Sequence, residues 1–205
     1  MKKNNSMLIG FISLAVIFTY FVYLRIMNPV NFYEEVKRRE AIIIDKLRDI
    51  RTMEIAYKSV FGKYTGSFDT LADFIQNGKI NKIKRTANFP DSLTEEEALK
   101  LKLINHDTVS VNAYNELFAD KKEVNLTTLK YIPNTLREFK IQANIISKNA
   151  IQFSVFEVTA DYNFYLENMD MYQVNSLINK AKNLNRFPGL KLGSLEESST
   201  NGNWE

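Results

Sequence analysis

From Met7 to Leu24 the chain reads MLIGFISLAVIFTYFVYL, 18 residues without a charge. A run of about that length is the shortest that crosses the hydrocarbon core of a bilayer as a helix, and Arg25 to Met27 can extend it. Eleven of the 18 residues are Leu, Ile, Val or Phe. At roughly −0.3 to −0.6 kcal/mol each for insertion, they contribute about −3 to −7 kcal/mol, enough to insert unaided. Tyr20 and Tyr23 suit an interfacial position, and Arg25 at the edge can reach the headgroups with its charge. A cleaved signal peptide would need small residues just after the run. Leu24-Arg25-Ile26-Met27-Asn28-Pro29 offers none. The expectation is a cytoplasmic start over residues 1–6 and an anchor over residues 7–27. Lys2 and Lys3 favour a cytoplasmic N-terminus, whereas Arg25 and Lys37 to Arg39 pull the other way. The charge pattern by itself does not choose an orientation.

Composition narrows the function. The 205 residues fit one domain plus this segment, and a hydrophobic share of 45% allows a real core. Cysteine is absent, which removes disulfide scaffolds, thiol catalysis and Cys-ligated metals. His106 is the single histidine, so multi-histidine sites go as well. A net charge of +3 is too mild to argue for nucleic acid. No phosphate loop, nucleophile elbow, H-E-x-x-H or EF-hand loop is present. Asp69 and Asp73 lie four apart and read as a solvated face. The expectation is a non-enzyme without cofactor, metal, nucleic acid or small-molecule substrate.

Asn28-Pro29 should end or kink the first helix. Asn31 then reads as an N-cap with Glu34 three residues on. Phe32, Val36, Ile43, Leu47, Ile50, Tyr57 and Phe61 recur at helical spacing, and Gly62 suits a C-cap. Glu34/Arg38, Glu35/Arg39 and Glu54/Lys58 are favourable pairs on the opposite face. Residues 28–61 are thus expected as a stalk, with NFYEEVKRRE projecting from the body. Ile42, Ile43 and Ile44 cover more than one helix face, so body or a second chain must meet them. A head over 62–195 follows, with helices first. Ser67 caps Phe68 to Asn77, Gly78 closes it, and residues 79–91 read as a basic loop. Thr94 with Glu97 opens a helix to Leu103. Asp107–Val111, Leu129–Ile132, Phe139–Ile146 and Ile151–Tyr162 read as strands, with a hairpin turn at Ser147–Ala150. Tyr172–Leu184 reads as a helix, Phe187–Leu190 as a turn, and 196–205 as a mobile tail. The fold class is α+β, an N-terminal transmembrane helix leading through a long amphipathic helix to a small helix-rich segment and an antiparallel sheet.

Residues 49–71, DIRTMEIAYKSVFGKYTGSFDTL, resemble the end of the first helix of type IV pilin-like proteins, especially the pseudopilins of type II secretion. Tyr57 corresponds to that family's first Tyr, Gly62-Lys63-Tyr64-Thr65 to its turn, and Ser67–Leu71 to its closing segment. The resemblance covers the N-terminal third, with the apolar span, Pro29 and the charged helix in the family's order. Gly10-Phe11 occupies the place of the peptidase site. Two positions depart: Ala15 stands where the family has Glu, and Thr65 where it has Pro. The C-terminus resembles uncharacterised Bacteroidetes-type proteins, which implies no function. The resemblance implies a single-pass protein of the bacterial cytoplasmic (inner) membrane, with its C-terminal domain extracytoplasmic. Its partners would be the bilayer and other anchored subunits, in a pilin-like or secretion-type envelope assembly. The residues implicated in packing are Phe11, Ile12, Ala15, Val16, Phe32, Val36, Ile42, Ile43, Ile44 and Leu47. The alternative is a stand-alone single-pass protein whose head binds a ligand, peptide or envelope component.

Overall fold

The computed structural model describes residues 2–86, 105–119 and 124–205. The helix expected from Thr94 to Leu103 lies outside them. The described chain is α+β, with one long apolar N-terminal helix, several short helices and two antiparallel sheets.

Helix α1 spans Lys2–Phe61, 60 residues. At 1.5 Å per residue it is about 90 Å long. It does not stop at Asn28-Pro29, and Asn31 lies inside it rather than capping a new helix. Proline removes one backbone hydrogen bond, to the carbonyl four residues back, but leaves the others of the ladder in place. α1 ends as expected, with the Gly62 amide donating to the Lys58 carbonyl at 2.8 Å and φ of +74°.

Two compact units divide the chain. The first comprises residues 1–44, 132–137 and 160–190. In it Phe32, Val36 and Ile43 of α1 are buried. The NFYEEVKRRE stretch therefore does not project as a bare stalk. Phe32 and Val36 are covered, and Arg39 and Glu40 bond Tyr165. The unit also holds α4 (Tyr162–Tyr165) and α5 (Met171–Asn183). Asp170 caps α5 by accepting from the Tyr172 and Gln173 amides.

The second unit comprises residues 45–131, 138–159 and 191–205. Leu47, Ile50, Met53 and Tyr57 of α1 belong to its core. Helix α2 (Phe68–Asn77) begins at Ser67, whose hydroxyl accepts from the Thr70 amide. The segment expected as a basic loop is a strand through Thr86. β1 (Lys79–Thr86) pairs antiparallel with β2 (Asn105–Asn112), Lys79 opposite Asn112. The alternation of Ile80 and Ile83 with lysines is weak, and the partner strand supplies the backbone pairing that local sequence could not announce. Helix α3 (Ala113–Phe118) follows, capped by Asn112.

Residues 129–132, expected as a strand, instead follow a 3-10 turn at Leu126–Thr128, and only Tyr131 forms a bridge, to Glu138. The second sheet has the order β3-β4-β5, from β3 (Lys140–Lys148), β4 (Ile151–Asp161) and β5 (Gly189–Gly193). β5 takes up the second half of the turn expected at Phe187–Leu190. In β4 the simple alternation gives way to a run of buried residues, Val155, Phe156, Val158, Thr159 and Ala160. A central strand is covered on both faces, so period two is lost there. Gly193, φ +74°, lets β5 lie close to β4, because a Cβ there would run into the Phe156 carbonyl. The tail expected to be mobile is tied down. Leu192 bridges Gly202, the Gly193 amide donates to the Asn201 carbonyl at 2.9 Å, and Glu205 meets Arg51 at 2.7 Å.

Candidate membrane and assembly surface

Every residue from Met7 to Tyr23 is exposed, and Phe11 and Phe18 leave 63% and 70% of their surface uncovered. This helix is long and apolar enough to cross a membrane, and an apolar surface all round it is compatible with a lipid environment. The two aliphatic hydroxyls in the run, Ser13 and Thr19, are already satisfied within the helix. Ser13 Oγ donates to the Gly10 carbonyl at 2.9 Å, and Thr19 Oγ1 to the Ala15 carbonyl at 2.8 Å. Such local bonds remove the polar cost of placing Ser and Thr in hydrocarbon. On one face, Ile12, Ala15, Val16, Thr19, Tyr20 and Tyr23 outline a shallow groove of about 540 Å³. A Cβ on Gly10 would meet no atom within 4 Å, so Gly10-Phe11 is open on the helix surface.

Beyond this run, a polar clamp fixes α1 within the first unit. Arg38 donates to both oxygens of Glu35 at 2.8 Å, and Arg39 donates to Glu35 Oε1 at 2.7 Å. These bonds, Arg38 first, hold the Glu35 carboxyl down at about 2. The second arm of Arg39 donates to the Tyr165 carbonyl at 2.7 Å. The Tyr165 hydroxyl donates to Glu40 Oε1 at 3.2 Å. Burial raises the pKa of both groups, and the bond from Tyr165 partly offsets this for Glu40. The expected pair Glu35/Arg39 forms, while Arg38 turns to Glu35 rather than Glu34.

In the second unit, Lys46 caps a turn by donating to the carbonyls of Thr128 and Tyr131, the latter at 2.7 Å. Glu54 does not lie on the solvated face beside Lys58. It is fully buried. Its Oε2 accepts from the Thr65 amide at 3.0 Å, and Oε1 has no partner among the described residues. Desolvation raises its pKa to about 8, against the lowering effect of the Thr65 bond. Lys58 lies over the Tyr64 ring at 4.5 Å instead.

The residues expected to form an assembly surface separate into two groups. Phe11, Ile12, Ala15, Val16 and Ile42 are exposed, and Ile44 is half-buried. Phe32, Val36, Ile43 and Leu47 are buried by their own chain and are not available to a partner. Sequence reasoning missed Glu54 and the Arg39–Tyr165–Glu40 clamp. Glu54 continues the spacing of Leu47, Ile50 and Tyr57, which was the available signal. The clamp left none, since Tyr165 is 126 residues from Arg39. Among the described residues no group of three or more acidic or histidine side chains converges as for a metal ion. No known protein family, curated protein or solved structure matches the chain.

Proposed function

We propose that residues 7–27 cross the cytoplasmic membrane of a bacterium once and that the chain is a non-enzymatic subunit of a pilin-like or secretion-type envelope assembly. The observation that carries the anchor is the fully exposed, uncharged helix surface from Met7 to Tyr23. The resemblance in residues 49–71 supports an extracytoplasmic C-terminal domain. In this reading the subunit packs sideways against other anchored subunits through Phe11, Ile12, Ala15 and Val16 in the bilayer and through Ile42 and Ile44 outside it. Ala15, in place of the acidic residue of pilin-like proteins, puts no charge in that contact.

Two measurements test the two halves of this reading. After alkaline carbonate extraction of native membranes, the full chain should stay in the pellet, and release into the supernatant overturns the anchor. Ile42 is 41% exposed, so Ile42→Glu should leave the fold intact. The variant should lose co-purification with neighbouring subunits while its melting temperature stays unchanged. Retained co-purification overturns the packing role.

A further inference from the structure

A cleft of about 880 Å³ opens in the second unit, between the end of α2, the start of α3 and the 3-10 turn. Its polar lining is Gln76, Asn112, Tyr114, Asn115, Asn125 and Thr127. The remaining lining residues, Val124 and Leu126, are apolar and half-buried. Among the described lining residues none carries a charge.

The walls are fixed by their own hydrogen bonds. Asn112 Nδ2 donates to the Gln76 carbonyl at 3.1 Å, and Asn112 Oδ1 accepts from the Asn115 amide at 3.3 Å. The Tyr114 hydroxyl accepts from the Val124 amide at 3.1 Å. Asn125 Oδ1 accepts from the Thr127 amide at 3.0 Å and from Thr127 Oγ1 at 2.6 Å. These bonds leave a defined set of groups with no hydrogen bond to another described residue. They are the side-chain amides of Gln76 and Asn115, the Asn125 NH2 group and the Tyr114 hydroxyl proton.

That set selects a chemistry. Among the described lining residues it holds donors and acceptors in amide pairs and no formal charge, so those residues offer no counterion for phosphate, carboxylate or a cation. An extended peptide would want an open strand edge and a row of side-chain pockets, and among the described residues only Val124 and Leu126 line the cleft with aliphatic side chains. A side-chain amide presents one acceptor and two donors, which matches adjacent hydroxyls that each donate and accept. The volume lies within the range of small-molecule sites. We propose that this cleft binds a neutral saccharide, with Gln76 and Asn115 gripping ring hydroxyls, the Tyr114 hydroxyl donating, and Val124 and Leu126 meeting the C–H face of a sugar ring. This goes beyond the anchored-subunit reading and does not rest on it, since every residue involved belongs to the second unit.

The test uses the full chain in a detergent without a sugar headgroup. Maltotriose, cellotriose and chitotriose are titrated by saturation-transfer NMR, with capped trialanine as the peptide probe. At least one trisaccharide should bind, and Gln76→Ala with Asn115→Ala should weaken it by about tenfold or more. Both side chains are exposed and unbonded to described residues, so the double variant should keep the melting temperature of the parent, which a thermal scan verifies. The proposal is overturned if no trisaccharide binds, if the double variant binds as well as the parent, or if the peptide is preferred. These outcomes are independent of carbonate extraction, so a failure of the site and a failure of the anchor can be told apart.

Discussion

Glu54 is the residue where local and tertiary demands disagree most. It occupies a position on the buried stripe of α1 that an apolar side chain would fill, and its carboxyl is fully buried with one oxygen unpartnered among the described residues. The neutral acid is the cheaper form to bury, which is why its pKa rises to about 8 from 4.5. The sign of the resulting pH dependence is fixed. Between these two values the folded state holds a proton that the unfolded state has lost, so stability falls as pH rises through this window and levels off above it. Urea titrations at pH 5 and pH 9 should show the parent less stable at pH 9. Glu54→Gln keeps an acceptor for the Thr65 amide and cannot ionise. It should flatten the profile and be more stable than the parent at pH 9, on the order of 2 kcal/mol. Equal pH dependence in parent and variant would mean that the carboxyl is solvated.

At the scale of elements, the β3–β4 hairpin gives the clearest case of a local geometry set by pairing. Lys148 faces Ile151 in the register, which leaves Asn149 and Ala150 as a two-residue loop. Both have positive φ, +54° and +63°. That is the turn whose twist matches antiparallel strands, and it favours Asn followed by Gly. Ala150 therefore sits in the left-handed region at a cost of about 1 kcal/mol. Ala150→Gly should raise the urea midpoint by the equivalent of roughly 1 kcal/mol, with no change in the far-UV spectrum. A lowered midpoint would indicate that the gain in unfolded-chain entropy outweighs the relieved strain. α1 shows the same lesson in reverse. Proline was expected to end or kink the helix, and α1 continues through Pro29, because one missing hydrogen bond is a small fraction of what 60 residues supply.

For the molecule as a whole, the decisive boundary falls along α1. No described side chain before Phe32 is buried, although Met27 and Pro29 are half-covered. From Phe32 onward the buried stripe runs to Tyr57. Removing residues 1–27 should therefore cost little folding energy and should move the protein from the membrane fraction to the aqueous one. The truncated chain should melt within about 3 °C of the full chain in detergent, since a shift of that size corresponds to about 1 kcal/mol for a chain of this length. Aggregation of the truncated chain with loss of a cooperative transition would show that the apolar segment is part of the folded core.

What the sequence determined by itself is what repeats locally. The apolar run from Met7 to Leu24, the helical spacing from Phe32 to Tyr57, the Ser67 and Gly62 caps and the hairpin between Phe139 and Tyr162 were all legible. Each depends on neighbours within a few residues or on a single periodicity. The tertiary structure decided the rest. β1 and β5 became strands only because a partner strand satisfied their backbone groups. The 196–205 tail, polar enough to read as loose, is held by the Arg51–Glu205 pair and a bridge to β5. Four of the ten residues expected to meet a partner subunit are instead buried within the chain. Periodicity says which face of a helix is apolar, but not whether its own fold or another molecule covers that face. The amide-lined cleft was illegible for the same reason, since Gln76, Asn115 and Asn125 converge only once α2, α3 and the 3-10 turn have packed.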